Sequence, residues 1–136
     1  MGAMMSANDV IARYGAAMAA GDMAALRSVL SNDAVWHQPG SNQLSGDHVG
    51  PEAIVAHLGR FMELSGGTFI LTTQSVADAG ALVSTTVRFT ASRADHPDLD
   101  QHGVDVFRVA GDQIAEVWLV SEDQAAEDQF WGTGQP

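Results

Sequence analysis

The hydrophobic pattern changes period near the middle of the chain, at Gly66 and Gly67, and that change narrows the fold more than any motif does. Ahead of it, apolar residues recur mainly at helical spacing; behind it they alternate, as on a half-buried strand. Ser6 and Asp9 resemble a capping box, and Val10, Ile11, Tyr14, Ala17 and Met18 form one stripe of a helix over 6–20. Gly21 stops that helix, and Asp22 caps a second over 22–30 with Leu26, Val29 and Leu30 on its buried side. Residues 34–38 make a short strand ended by Pro39 and Gly40. A polar loop then leads to Pro51, suited to the first turn of a third helix over 51–64, with Ile54, Val55, Leu58, Phe61 and Met62 on its apolar face. Beyond the glycine pair, 68–77, 81–93, 101–109 and 113–121 read as four strands. Three helices followed by an antiparallel meander from 68 to 121 is an α+β pattern. A strongly bent sheet with helices across its concave side forms a cone closed at one end, and ligand pockets favour such mostly apolar hollows.

Composition sets the outer limits. Of 136 residues 46% are hydrophobic, enough for one domain with a real core, placed here at 6–131. Residues 1–5 read as a vector remnant and native start, and 132–136 as a C-terminal tail. A formal charge of −11 with six Lys and Arg together argues against nucleic acid or an anionic membrane as partner. Zero cysteines exclude disulfides, thiolate metal sites and a Cys nucleophile. Nothing reads as a membrane span or signal peptide, so a cytoplasmic protein is the default expectation.

One strand contains a conflict. Asp105 stands between Val104 and Val106, with Phe107 next on its own side. A carboxylate facing an apolar layer costs several kcal/mol or stays neutral. Such conflicts between pattern and residue choice concentrate at functional sites. The competing reading is a structural Asp paired with Arg88 or Arg108 at a sheet edge.

The order of elements resembles the nuclear-transport-factor-2-like (NTF2-like) fold. Arg13, Tyr14, Gly21 and Asp22 resemble the first helices of ketosteroid isomerases, and Gln38, Pro39, Gly40, Ser41, Ser45 and Gly46 their first strand and loop. Gly103 to Arg108, then Gly111, Ile114, Glu116 and Trp118, are similar to the SnoaL-like polyketide-cyclase branch. The resemblance implies that Tyr14 sits where the isomerases place the phenol of their oxyanion hole. It puts Asp105 where they place a protonated carboxylic acid, an acid kept neutral by an apolar site that is itself the standard example of this effect. In the cyclase branch an acid near this position resembles the one that shuttles the proton in ring closure. Gln38 departs from the pattern, standing where the isomerase has its carboxylate base, and an amide takes no proton at neutral pH.

The remaining candidates are weighed by strand parity. Trp36 and Gln38 share one side of the first strand and His37 the other, so His37 is a candidate base only if Gln38 faces away from the pocket. Glu116, Trp118 and Val120 share a side of the last strand, with Trp118 and Val120 taken as pocket wall together with Trp36, Phe61 and Phe107. Tyr14 is either an oxyanion donor or a plain core aromatic. His48 reads as a loop residue, and His57 and His96 as solvated. His102 alternates away from Asp105. No metal-ligand spacing, phosphate loop or dinucleotide fingerprint is present, and no cofactor is implied. These residues point to a cofactor-independent acid/base enzyme on a small hydrophobic carbonyl or enol metabolite, by isomerisation, dehydration or aldol- or Michael-type cyclisation. Asp105, Tyr14, Gln38 and His37 are its candidate catalytic residues. The alternatives are a non-catalytic ligand-binding or dimerisation module, and a limonene-type epoxide hydrolase, which needs two carboxylates and an Arg around a water. A homodimer through the convex side of the sheet is expected, because Val104 and Val106 leave an apolar strip there.

Overall fold

The computed structural model describes residues 5–133; residues 1–4 and 134–136, which hold most of the expected vector remnant and tail, lie outside the described residues. Helix α1 (Ala7–Ala20) begins at a complete capping box, in which Ser6 Oγ accepts from the Asp9 amide and Asp9 from the Ser6 amide, both at 3.1 Å. It ends at Gly21, whose φ of 64° is the left-handed conformation glycine adopts without a Cβ penalty. Asp22 caps α2 (Met23–Val29), and Pro51 opens α3 (Pro51–Leu64). These three helices match the sequence reading to within a residue or two. Leu30 belongs to the following strand.

The sheet is larger than a four-stranded meander. It has six strands: β1 (Leu30–Gln38), β2 (Gly46–Val49), β3 (Ile70–Ala79), β4 (Leu82–Ala91), β5 (Leu99–Ala110) and β6 (Gln113–Ser121). Their order is β2-β1-β6-β5-β4-β3. The C-terminal four form the expected antiparallel run, and β2 pairs antiparallel with β1. The exception to an all-antiparallel sheet is β1, which pairs parallel with β6 and so places the first strand beside the last. Register shifts at Thr73/Ser75 and Arg108/Val109 mark bulges, which bend a strand locally.

The second difference is a fourth helix, α4 (Gln124–Trp131), after the sheet; the helices are therefore not confined to the N-terminal half. Asp123 caps it by accepting from the Ala126 amide at 3.0 Å. Tertiary bonds hold it down. Asp128 accepts from the Ser41 amide at 3.1 Å and from Asn42 Nδ2 at 2.8 Å, and Gln43 Nε2 donates to the Trp131 carbonyl at 2.7 Å. Arg93 donates to the carbonyls of Phe130 and Trp131, a cation at the negative end of a helix.

Two apolar clusters fill the helix-covered face of the sheet. One joins Val10, Leu26 and Ile54 to Trp36, Val83, Phe107 and Val117; the other joins Leu44, Phe61 and Phe89 to Phe130 and Trp131 of α4. Among the described residues no helix is long and apolar enough to cross a membrane.

Candidate functional site

Strand parity and register put one line of side chains across the helix-covered face. On β5 the odd positions face the helices, so Asp105 shares its side with buried Phe107 and Val109, while Arg108 points out. Asp105 pairs with Thr85 on β4 and with Leu119 on β6. His37 pairs with Trp118, so the next residues along the parallel ladder set Gln38 beside Leu119. Gln38, Leu119, Asp105 and Thr85 thus form one rung, and Gln38 and Asp105 stand about 10 Å apart, two strand spacings.

Asp105 is half-buried and has no hydrogen-bonding or ionic partner among the described residues. The structural ion pair is absent, because Arg88 is bonded to Asp100 at 2.7 Å and Arg108 to Glu116 at 3.2 Å. Burial pushes the Asp105 carboxyl up to about 7, helped by the charge of Glu127. Tyr14 reaches the same region from α1. Its ring lies 5.5 Å from that of Phe107, and burial followed by the charge on Asp105 holds its hydroxyl proton well above the usual phenol range. Tyr14 is therefore a neutral donor at any physiological pH.

Gln38, 6% exposed, is oriented by two neighbours. Trp36 Nε1 donates to Gln38 Oε1 at 3.0 Å, and an indole nitrogen is donor only, so that Gln38 atom is the oxygen. The same oxygen meets His57 Nε2 at 3.0 Å, which makes His57 a donor there and leaves the lone pair on its Nδ1. With Oε1 engaged twice, the free donors of Gln38 are on its Nε2. His57 Nδ1 is buried and has no partner among the described residues. Burial, then the charges of His48 and Arg60, drive the ring's pKa down to about 3, so it stays neutral. His57 is 2% exposed, against the expectation of a solvated side chain, because it stacks on His48 at 3.8 Å and packs edge-on to Phe61 at 5.1 Å. Phe61 is buried between His57 and Trp131.

Three expected site residues face the other way. His37 lies on the outer face, where Nε2 meets Glu116 Oε2 at 2.6 Å and Nδ1 meets Asp47 Oδ1 at 2.8 Å. The Glu116 hydrogen bond above all, with help from Asp47, raises its pKa. Trp118 stacks on His37 at 5.7 Å, and Val120 is 63% exposed, so neither lines the interior. Alternation on β6 does not reveal the inward face, since both sides carry large apolar residues and a bulge shifts the parity; Ile114, Val117 and Leu119 are the ones turned in.

Glu127 is an interior residue not anticipated from sequence. It is 4% exposed on the inner side of α4, accepts from Ser121 Oγ at 2.6 Å and from Gln124 Nε2 at 3.2 Å, and is raised above the usual carboxylate range by burial. A signal existed: Glu127 shares a helical stripe with Phe130 and Trp131, the same conflict of acid and apolar pattern that marks Asp105.

A surface groove of about 790 Å³ runs between the 96–101 segment and α4, with Asp98, Asp100, Glu122 and Asp123 in its wall. None of Asp105, Tyr14 or Gln38 lines it. Among the described residues no cluster of three or more His, Asp or Glu is placed to share a metal ion.

The site described here sits in a recognisable frame. A protein of unknown function with a cystatin-like fold from Xanthomonas campestris is 40% identical, with a TM-score of 0.86 over 94% of this chain and 99% of that one. An uncharacterized protein of Mycobacterium tuberculosis is 33% identical over 124 residues, 90% of this chain and 94% of its own length. IdmH of Streptomyces antibioticus, a candidate polyketide cyclase, shares the fold at 20% identity with a TM-score of 0.71. NTF2-like proteins of Burkholderia share it as well. The family profile described as a SnoaL-like domain matches residues 11–117, which carry Tyr14, Gln38 and Asp105 together, and the chain therefore belongs to the SnoaL-like family of the NTF2-like fold.

Proposed function

We propose that the protein is a cofactor-independent acid/base enzyme acting on a small hydrophobic molecule that carries a carbonyl or enol. The observation that carries this reading is Asp105: a half-buried carboxyl with no counter-ion, on one rung with Gln38 and opposite the Tyr14 hydroxyl. A general acid/base works best with a pKa near the operating pH, and about 7 meets that condition. Asp105 moves the proton at the carbon beside the carbonyl. The Tyr14 hydroxyl and the Gln38 amide hydrogens hold the oxygen on which charge develops. Phe107, Leu119 and Trp36 supply the apolar wall.

The polarity of the interior limits the substrate. Each of the six arginines has a partner elsewhere: Arg13 at Met5 Sδ, Arg27 at Glu52, Arg60 at Gln43, Arg88 at Asp100, Arg93 at the end of α4, and Arg108 at Glu116. Among the described residues none of them is bonded to Asp105, Tyr14 or Gln38, which favours a ligand uncharged at its reactive end. The same fact weighs against the epoxide-hydrolase chemistry, which needs an interior Arg. The assembly we propose is a homodimer through the outer face of the sheet.

The test is proton exchange at carbon. A panel of apolar ketones in deuterium oxide should lose α-protons faster with the protein than without it. Asp105→Asn keeps shape and hydrogen bonding, and should slow the catalysed exchange roughly a hundredfold with ligand binding little changed. Exchange no faster with the wild type than in buffer, at saturating ketone, would favour a binding module, and equal catalysed exchange by the wild type and the Asn variant would end the catalytic reading of Asp105.

A further inference from the structure

Two interior carboxyls, not one, approach each other in this fold. Ser121 pairs with Gly103 across β6 and β5, and Ser121 Oγ holds Glu127 Oε1 at 2.6 Å. The Glu127 carboxyl is thereby fixed above the Gly103–Ser121 rung. Asp105 projects from the same face of β5 two residues further on, about 7 Å along the strand. Gly103 between them carries no side chain, and a Cβ there would stand 2.8 Å from the Val120 carbonyl and 3.2 Å from Phe89. The Phe89 and Val87 side chains pack into that place, and their apolar surface leaves the interaction between the two carboxyls little screened. Beside Glu127 lies the Trp131 indole. Trp131 is 0% exposed, and its N–H has no well-formed hydrogen bond among the described residues. That donor is in place to bind Glu127 more strongly when the carboxyl ionises.

We infer that Asp105 and Glu127 form a proton-exchanging couple, one carboxylate and one carboxylic acid, between which the reacting carbons of the substrate lie. This rests on the acid/base reading of Asp105 given above and deepens it by naming the second acid. In an isomerisation the Asp105 carboxylate takes the proton from the carbon beside the carbonyl, and the C–H electron pair becomes the double bond of an enolate. Tyr14 and Gln38 hold the enolate oxygen. The Glu127 carboxylic acid then breaks its O–H bond and forms a C–H bond at the far end of the conjugated system, as the enolate electrons return the carbonyl. Asp105 ends protonated and Glu127 ionised, so one proton has moved and none has been lost. After the product leaves, the proton passes back from Asp105 to Glu127 through solvent at half-buried Asp105, which resets the couple. The arrangement requires the pair to hold a single proton at working pH, a state that two nearby like charges favour.

The groups facing the couple are few. Tyr14 comes from α1, and Asp128 is the other charged group of α4 close enough to act on Glu127; Ser121 and Gln124 are neutral donors. Coupling is therefore readable without knowing the substrate. Carbon-detected nuclear magnetic resonance of the intact protein, labelled at the side-chain carboxyls, gives both titration midpoints. In Glu127→Gln, which keeps an acceptor for Ser121, the Asp105 midpoint should fall from about 7 by about one unit or more. Asp105→Asn should lower the Glu127 midpoint by a matching amount, since coupling is reciprocal. If one variant does not fold, the other reads the same coupling alone. Midpoints that shift by less than about a quarter of a unit in the folded variants would overturn the couple. If Asp105→Asn nevertheless stops α-proton exchange, the couple fails while the proposed activity stands.

Discussion

Asp105 costs the fold something, and the cost has a sign. An unfolded Asp titrates near 3.8, whereas in the fold Asp105 titrates at about 7. Across that window the folded chain binds more protons than the unfolded one, so this residue's contribution to stability is complete below pH 4 and is lost as pH rises through 7. His57 slopes the other way over nearly the same range: with its pKa lowered from 6.5 to about 3, it weakens the fold as pH falls through that interval. The two partly cancel in the wild type, and a difference measurement isolates one of them. Asp105→Asn should match the wild type in thermal stability at pH 4 and exceed it at pH 8 by about 1–3 kcal/mol. An Asn variant that is less stable than the wild type at pH 8 would mean that Asp105 stabilises the fold in its ionised form.

At the scale of elements, what could be read from sequence depended on where the holding forces act. The ends of α1 to α3 are set by caps within a few residues, Ser6 with Asp9, Asp22 and Pro51, and so they are visible locally. Strand parity correctly separated Trp36 and Gln38 from His37, because period two is a local property. By contrast α4 is an eight-residue helix with two large apolar side chains, and its anchors, Ser41, Asn42 and Arg93, lie far away in sequence. Strand β2 is only four residues long and exists by pairing with β1. His57 was misread for the same reason, since its burial comes from His48 and Gln38 outside its own helix. The anchoring of α4 is testable. Burial pushes Asp128 up, but hydrogen bonds from Asn42, Gln124 and Ser41 outweigh it and hold the carboxyl below its usual range. Its contribution is therefore present above about pH 4 and lost as pH falls further. Asp128→Ala should cost about 1–2 kcal/mol and speed amide exchange in 124–131 selectively. Uniform loss of protection across the sheet would show that α4 does not open separately.

The whole molecule presents its sheet unevenly. One face is covered by four helices. The other carries Val120 at 63% exposure beside Trp118, Val104 and Val106, with Ile70 at 61% and Leu82 at 44% further along the sheet. The homodimer proposed above would cover this apolar surface, which is large for a chain with a charge of −11. Light scattering at micromolar concentration should return twice 14.3 kDa, about 29 kDa. Val120→Asp should move the mass toward the monomer, and a wild-type monomer would count against the interface.

The long span of the α4 anchors also has a meaning in time. The Asp128 contacts with Ser41 and Asn42 bridge 87 and 86 residues, whereas β4, β5 and β6 pair with their sequence neighbours across the 92–98 segment and the turn at Gly111 and Asp112. Closing a long loop costs entropy that local pairing does not, so the hairpins assemble first and the terminal helix docks afterwards. Glu127 arrives with that last segment. Asp105 is already seated in its strand before the second acid comes near it, so the nascent sheet forms without their mutual repulsion, and that repulsion enters only when the rest of the fold can hold against it.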